Sequence, residues 1–275
     1  MDAYGDFAYV YDEFMDNTPY EQWCEYLCES INKYGVSKPE RETKDVWEKN
    51  VTQKDVLESE KNLVVDLGCG TGTLTQMLYK MGYDMIGVDN SQEMLSVAME
   101  KRDREGSHIL YLLQDMRELE LYSTVGTILS VCDSINYILD EEELLEVFQL
   151  VNNYLYPGGL FIFDFNTVFK YSEVIGDVTI AENRENCSFI WENYYHEEEE
   201  INEYDLTVFV QEEDGRFKRF QENHYQRGYR PETICALLEE AGLELMEILD
   251  ADTREPVKPE SERIYVVARE CMKNT

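Results

Sequence analysis

Basic residues are scarce in this 275-residue chain, which holds 24 lysines and arginines against 58 aspartates and glutamates. The formal net charge of −34 creates a field that repels a phosphate backbone. The composition therefore argues against a nucleic-acid partner. Charge of this size concerns solubility and partners and leaves the fold open.

Long apolar runs are also missing, since no stretch of 18 apolar residues occurs and the N-terminus is acidic and unlike a signal peptide. We therefore expect a soluble, cytoplasmic protein without a membrane partner. Seven cysteines occur without a C-x-x-C pair, which argues against a disulfide scaffold and against a zinc or other metal site. The length suits one α/β domain with a small insertion, acting as a monomer or homodimer.

A strand, a glycine-rich turn and a helix follow one another between Asn62 and Met81. The apolar run that ends at Leu67 is typical of a strand in a parallel sheet covered on both faces. Gly68, Gly70 and Gly72 then allow a tight turn into a helix. Such a turn brings backbone N–H groups close to a ligand, at the sheet edge where open α/β folds bind nucleotides. We therefore predict a nucleotide site here.

Three carboxylates at successive strand ends indicate which nucleotide binds. The dinucleotide fingerprint G-x-G-x-x-G requires its third glycine at position 73, where this sequence has Thr73. The third glycine is Gly72, so the spacing is G-x-G-x-G. Asp66 precedes the first glycine, where it disfavours a pyrophosphate and favours an ammonium or sulfonium centre. Asp89 can accept both hydroxyls of a ribose, and Asp115 can accept the amino group of an adenine. The pattern describes a cationic adenosine.

Three short motifs resemble those of class I S-adenosylmethionine-dependent methyltransferases. They are D-L-G-C-G-T-G at 66–72, V-D at 88–89 and Q-D-M at 114–116. The resemblance extends over about residues 62–166. The two chain ends, 4–15 and 261–269, are similar to those of small bacterial methyltransferases of the YqeM-like group.

This resemblance implies that S-adenosylmethionine is the cofactor and gives roles to single residues. Asp66 would hold the methionine ammonium side, Asp89 the ribose, and Asp115 with Met116 the adenine. Cys132 and Asp133, which follow the fourth strand, would line the methyl end. The complete predicted cofactor set is Asp66, Gly68, Cys69, Gly70, Gly72, Asp89, Asn90, Asp115, Met116, Cys132 and Asp133.

The acceptor side is predicted from an aromatic N-terminus and from residues beyond the strand ends. In the methyltransferases that this chain resembles, the N-terminal segment closes over the cofactor. The alternative for this segment is a short helix that packs its aromatic face on the core. The candidate acceptor residues are Tyr4, Phe7, Tyr11, Asn136, Asn166 and His224. The chain thus offers a small-molecule acceptor pocket.

The expected fold class is α/β, with a doubly wound, mostly parallel, seven-stranded Rossmann-like sheet and a small antiparallel β insertion after the fifth strand. Residues 1–170 and 230–275 would form the cofactor domain, with a polar insertion at 38–61. Residues 171–229 would form an antiparallel lid whose strands are 188–195, 201–210 and 217–226. The resemblance implies that the last strand is antiparallel and inserted between the fifth and sixth.

The leading hypothesis is in-line methyl transfer to an N or O atom of a small molecule. A sulfonium methyl is already activated, so the protein mainly aligns the acceptor and excludes water. An amine acceptor must be neutral, and His224, Asp133 or a lid tyrosine could remove its proton. The alternatives are a non-catalytic S-adenosylmethionine-binding regulator and a nicotinamide-dependent oxidoreductase, the latter opposed by Thr73 and Asp115. A protein or RNA acceptor is a further alternative, with the acidic charge against RNA.

Overall fold

The computed structural model describes residues 7–39, 53–212 and 214–273. Its α-helices are α1 (Ala8–Phe14), α2 (Tyr20–Tyr34), α3 (Gln53–Asn62), α4 (Thr73–Lys80), α5 (Gln92–Glu105), α6 (Glu141–Tyr154) and α7 (Pro231–Glu240). Its strands are β1 (Leu63–Leu67), β2 (Asp84–Asp89), β3 (Leu110–Leu113), β4 (Val125–Ser130), β5 (Leu155–Asn166), β6 (Thr179–Asn183), β7 (Cys187–His196), β8 (Ile201–Gln211), β9 (Phe217–Arg227), β10 (Leu243–Asp250) and β11 (Arg263–Glu270).

The main sheet has seven strands in the order β10-β11-β5-β4-β1-β2-β3. The pairs from β5 across to β3 are parallel, whereas β11 is antiparallel to both β5 and β10. The strand order reverses between β1 and β4, which is the switch point where such sheets bind ligands. The expected fold class is confirmed, including the last strand inserted beside the fifth.

Helices cover both faces of this sheet because the central strands are apolar on both sides. On one face α6 and α7 bury Leu144, Phe148, Ile234 and Leu238 against the sheet. On the other face α2, α4 and α5 bury a second apolar layer, which includes Leu27, Ile31, Leu74, Leu78, Leu95 and Ala98. The two layers fix the carboxyl ends of the parallel strands as a rigid platform.

A second sheet, β6-β7-β8-β9, is antiparallel throughout. Three strands were expected in this region, and β6 is a fourth. Its sequence, Thr179–Asn183, alternates half-buried and exposed residues and carries little apolar side chain. It is an edge strand fixed by backbone pairing with β7, so a hydrophobic pattern does not reveal it.

Helix α1 packs against the second sheet through a small apolar cluster. Phe7 and Val10 are buried together with Tyr204, Leu206 and Val208 of β8. The ring of Phe14 meets that of Phe189 edge-on at 5.0 Å. The N-terminal helix and the second sheet therefore form one packed layer.

The predicted polar insertion is described only in part. Residues 40–52 lie outside the described residues, and α3 leads directly into β1. Within the described ranges, no helix combines the length and the apolar character that crossing a membrane requires.

Candidate active site

A cavity opens at the carboxyl ends of β1, β2, β3 and β4, at the switch point of the main sheet. Most of the predicted cofactor residues line it, although they come from four separate strand ends. The lining members are Asp66, Gly68, Cys69, Gly70, Asp89, Asn90, Asp115, Met116 and Cys132. The structure thus brings together nine of the residues that the sequence predicts.

The glycine turn is held open by the carboxylate of the neighbouring strand. The backbone N–H of Gly70 donates to Asp89 Oδ2 at 2.7 Å, and that of Ser91 donates to Asp89 Oδ1 at 2.8 Å. Gly68 and Gly70 have φ angles of 82° and 53°, a region that disfavours side chains. A Cβ on Gly70 would meet no atom within 4 Å, so this part of the loop faces open space where a ligand can approach.

Asp66 lies deeper, at 2% exposure, beneath the same loop. Its Oδ2 accepts a hydrogen bond of 2.6 Å from the Thr75 hydroxyl of α4. Burial raises the pKa of Asp66 to about 6, against the lowering effect of Thr75 and with a smaller contribution from the nearby Asp89. A buried carboxylate of this kind is stabilised in its charged form by a cationic ligand.

Asp115 is paired with a cation that the sequence motifs do not include. Arg117 Nη2 lies 2.7 Å from Asp115 Oδ2, and Arg117 Nη1 lies 3.1 Å from Glu143 of α6. Hydrogen bonds from Arg117 lower the pKa of Asp115. Asp115 therefore stays ionised as an acceptor, and Arg117 also lines the cavity. Its position two residues after a predicted ligand is the signal that the sequence offers.

A tight turn at Cys132 and Asp133 forms the floor. Both residues have positive φ, 66° and 52°, which is strained for non-glycine residues. Their backbone N–H groups donate to the two carboxylate oxygens of Asp164, at 3.1 and 2.7 Å. Asp164 is fully buried and ion-paired with Arg263 of β11. This pair holds the strained turn in place.

Two predicted cofactor residues do not line the cavity. The Cα of Gly72 faces Tyr111 and Ala98, because a Cβ there would lie 2.4 Å from the Tyr111 hydroxyl, so this glycine allows close packing of helix on sheet. The side chain of Asp133 points toward the second sheet, where Gln226 Nε2 donates to its Oδ2 at 2.6 Å. A cofactor contact for either residue stays a prediction.

Helix α1 covers the glycine loop, through contacts that the sequence does not reveal. One carboxylate oxygen of Asp12 accepts from the hydroxyls of Thr71 at 2.6 Å and Thr73 at 3.1 Å. The other lies 2.5 Å from Lys101 Nζ of α5. The next residue toward the N-terminus, Tyr11, lines the cavity, with its hydroxyl 3.9 Å from Cys132 Sγ.

The other predicted acceptor residues that the structure describes are not among the residues that line the cavity; they are Phe7, Asn136, Asn166 and His224. Tyr4 falls outside the described residues, and Phe7 packs on the second sheet. Asn136 donates to the backbone carbonyls of Asn166 and Arg227, and Asn166 donates to the Tyr171 hydroxyl. The two asparagines link β5 and β9 to the 3-10 turn that follows β4, Ser134–Tyr137. They therefore support the site from outside the cavity wall.

Three further aromatic residues line the cavity, none of them among the predicted site residues. They are Tyr20 and Trp23 of α2 and Tyr137 of the 3-10 turn Ser134–Tyr137. The helical spacing of Tyr20 and Trp23 indicates only a buried face, and this pattern does not separate a core wall from a ligand wall. The cavity is consequently more aromatic than the sequence predicts.

Comparison with known proteins agrees with this geometry. A family model described as a methyltransferase domain matches residues 64–159. The "Putative methyltransferase GWCH70_2453" of Geobacillus sp. (strain WCH70) is 32% identical over 97% of this chain and 99% of its own length. The "Putative methyltransferase YqeM" of Bacillus subtilis (strain 168) is 31% identical over 97% of this chain and 96% of its own length.

The chain belongs to the YqeM-like methyltransferase family. A crystal structure of an S-adenosylmethionine-dependent methyltransferase from Clostridium acetobutylicum ATCC 824 superposes with a TM-score of 0.80. It shares 28% identity and covers 98% of this chain and all of its own. The cofactor of this YqeM-like protein is S-adenosylmethionine.

The residues present fit this cofactor. Among the described residues that line the cavity, Arg117 is the only lysine or arginine, while Asp66, Asp89 and Asp115 supply carboxylates. Carboxylates and aromatic faces complement a sulfonium, an ammonium and a ribose. No group of three or more metal-binding side chains occurs in the described ranges.

Proposed function

We propose that this YqeM-like protein transfers a methyl group from S-adenosylmethionine to an N or O atom of a small molecule. The observation that carries the proposal is the aromatic wall of the cavity beyond the predicted cofactor residues. It continues past Cys132 to Tyr11, Tyr20 and Tyr137, under α1. A concave aromatic wall of this kind favours a small acceptor over a macromolecular one.

When bound, S-adenosylmethionine supplies a methyl group already activated by a positively charged sulfur. We propose that Asp66 holds the ammonium end, Asp89 the ribose and Asp115 the adenine. The Cys132–Asp133 turn, fixed by Asp164, sets the floor near the acceptor. Alignment and exclusion of water are then the main contributions of the protein.

We further propose that residues 171–229 act as a lid on a cofactor domain formed by 1–170 and 230–275. The second sheet reaches the site through Gln226, which donates to Asp133, and through the packed layer with α1. Asp12 links α1 to the glycine loop, so the second sheet is connected through α1 to the cofactor loop. Closure of this layer would exclude water from the chamber.

The first test is calorimetric titration with S-adenosylhomocysteine and, separately, with NADH. We expect binding of the first alone. Purified protein and S-adenosylmethionine are then incubated with glucosamine, tyramine or catechol, and release of S-adenosylhomocysteine is measured. Turnover of any of these supports a small-molecule N- or O-methyltransferase, whereas binding without turnover of a broader amine and phenol panel favours the regulatory alternative.

A further inference from the structure

The strand β9 carries an unusual inward face. Its buried positions alternate with exposed ones, as expected for a half-buried strand, but the buried residues are Glu222, His224 and Gln226. An inward sheet face is normally apolar, because a buried polar group must find partners to offset the loss of water. Three consecutive polar residues on this face point to a role beyond packing.

His224 is the centre of a hydrogen-bonded array. Its Nε2 lies 3.3 Å from Glu222 Oε2, and its Nδ1 lies 3.2 Å from the Tyr137 hydroxyl. The Tyr204 hydroxyl of β8 lies 2.8 Å from that of Tyr137, and the ring of Tyr204 stacks on the imidazole at 4.8 Å. The side chain of His224 is fully buried.

The chemistry of the partners fixes the direction of the array. An ionised carboxylate only accepts hydrogen bonds, so the proton of a neutral His224 lies on Nε2 and points at Glu222. Nδ1 then faces Tyr137 as an acceptor. A histidine oriented by a carboxylate and facing a hydroxyl is the arrangement by which proteins withdraw a proton from that hydroxyl.

Tyr137 connects this array to the reaction chamber. It lines the cavity together with Cys132, Ser134 and Ile138, whereas His224, which its hydroxyl contacts, and Glu222 are not among the lining residues. A proton taken up at the Tyr137 oxygen can therefore pass to His224 without crossing the chamber.

We propose that Tyr137, His224 and Glu222 form a proton relay for the methyl acceptor, an inference that rests on the proposed methyltransferase function. The acceptor lone pair forms the new bond to the methyl carbon, and the bond from that carbon to sulfur breaks with its electron pair left on sulfur. The acceptor N–H or O–H proton passes to the Tyr137 oxygen, whose own proton passes to His224 Nδ1. The resulting imidazolium faces the Glu222 carboxylate. Tyr137 is the catalytic residue, and His224 and Glu222 position and drive it.

The relay also narrows the acceptor. Only an acceptor that still carries a proton on the attacking atom needs it, which selects amines and hydroxyl or phenol groups and disfavours tertiary amines and thioethers. The groups that face His224 in the described residues are Glu222 on its own strand, Tyr204 on β8 and Tyr137 on the 3-10 turn. The backbone N–H of Phe7, at the start of α1, donates to Glu222 at 3.4 Å.

The first experiment needs no acceptor. In protein labelled with ¹⁵N-histidine and saturated with S-adenosylhomocysteine, long-range ¹H–¹⁵N spectra should show the proton of the His224 imidazole on Nε2. Tyr137→Phe should shift the Nδ1 resonance and leave His196, on the outer side of β7, unchanged. An imidazolium that persists to pH 9, or a proton on Nδ1, overturns the relay.

The second experiment uses whichever of glucosamine, tyramine and catechol is turned over fastest. His224→Gln should lower kcat by about 10²-fold, the usual contribution of a general base, with KM within about threefold. It should also abolish the acidic limb of the kcat–pH profile. The matched control is His196→Gln, which should behave as wild type. His196 is an exposed histidine that pairs with Glu203.

Binding of S-adenosylhomocysteine distinguishes a failure of the proton relay from a failure of the proposed methyltransferase function. Each variant should bind it with wild-type affinity, which shows that the fold and the cofactor site are intact. A wild-type kcat and pH profile in His224→Gln, with binding preserved, overturns the relay and leaves the proposed function standing. A wild-type protein that does not bind S-adenosylhomocysteine overturns the proposed function itself.

Discussion

The two halves of the proposed active site are built in different ways. The nucleotide half consists of the ends of β1, β2 and β3 with Asp66, Asp89 and Asp115, and its contacts join near neighbours in sequence. Gly70 and Asp89, for example, are 19 residues apart. The acceptor half consists of α1, Tyr137 and the inner faces of β8 and β9, where Tyr137 meets His224 over 87 residues and Phe7 meets Glu222 over 215.

This contrast indicates where each half can fail. The nucleotide half depends on backbone turns and on carboxylates that keep their roles whenever the sheet forms. The acceptor half depends on the packing of four separate elements, which are α1, the 3-10 turn, β8 and β9. Among its polar pairs in the described residues, only Glu222 with His224 lies within one element. Substitutions at four positions test the contrast, and they are ordered by decreasing effect.

The strongest loss is expected at the junction of the halves. Asp164→Ala leaves the buried Arg263 without its carboxylate and releases the Cys132–Asp133 turn. Breaking a buried pair on one side typically lowers the free energy of unfolding by about 3–5 kcal/mol. Urea unfolding measures the change. The control is Glu244→Gln on β10, which breaks an exposed pair with Arg269. Arg269 lies on β11, as Arg263 does, and this substitution should change the free energy of unfolding by less than about 1 kcal/mol. Equal effects of the two substitutions would contradict the prediction.

Asp89→Ala probes the nucleotide half alone. It removes the proposed ribose acceptor and the acceptor of the Gly70 N–H. We expect a loss of about 1.5–3 kcal/mol in S-adenosylhomocysteine binding, the usual worth of hydrogen bonds to a charged group. Calorimetric titration checks this, with Asp103→Ala on the surface of α5 as the control. Unchanged affinity would remove Asp89 from the cofactor site.

Asp66 gives the nucleotide half a pH dependence. Burial raises its pKa to about 6, so above that pH the folded protein carries a buried charge that the unfolded chain holds at less cost. The free energy of unfolding of the ligand-free protein should therefore fall as pH rises from 4 to 6. An ammonium partner reverses this effect, so S-adenosylhomocysteine should bind about tenfold more weakly at pH 5 than at pH 7.

The control for this prediction is Asp66→Asn, which has no proton to exchange. Its affinity for S-adenosylhomocysteine should be lower than that of the wild type at pH 7.5 and nearly independent of pH from 5 to 7. A pH dependence that survives in Asp66→Asn would assign it to another group.

The weakest effect is expected at the contact between α1 and the glycine loop. Asp12→Ala removes the shared acceptor of Thr71, Thr73 and Lys101. Because the side chain of Asp12 is 38% exposed, water replaces part of these contacts, and we expect a loss of about 1 kcal/mol in S-adenosylhomocysteine binding. The release of S-adenosylhomocysteine from Asp12→Ala, measured by stopped flow, should be several-fold faster than from the wild type. Tyr9→Ala, on the exposed side of α1, is the control. Equal release rates in the two variants would show that the contact of Asp12 with the glycine loop does not retain the ligand.

Local sequence is sufficient to predict the main sheet and most of the residues that line the proposed cofactor site. Apolar runs, glycine turns and helix starts are local properties, and parallel strands necessarily bring their carboxyl ends to one edge. The positions of Asp66, Asp89 and Asp115 at the ends of such strands therefore predict that they share one cavity. Gly72 shows the limit of this reasoning, because a glycine that serves helix packing has the same local signature as one that faces a ligand.

The acceptor half, in contrast, depends on long-range packing. The pairing of Asp12 with the glycine loop, of Gln226 with Asp133 and of His224 with Tyr137 follows from how α1 and the second sheet pack on the main sheet. No periodicity encodes these pairs, because periodicity reports which face of an element is buried and not which distant side chain it will meet. A buried histidine on a strand has the same pattern whether it supports packing or faces a reactive hydroxyl.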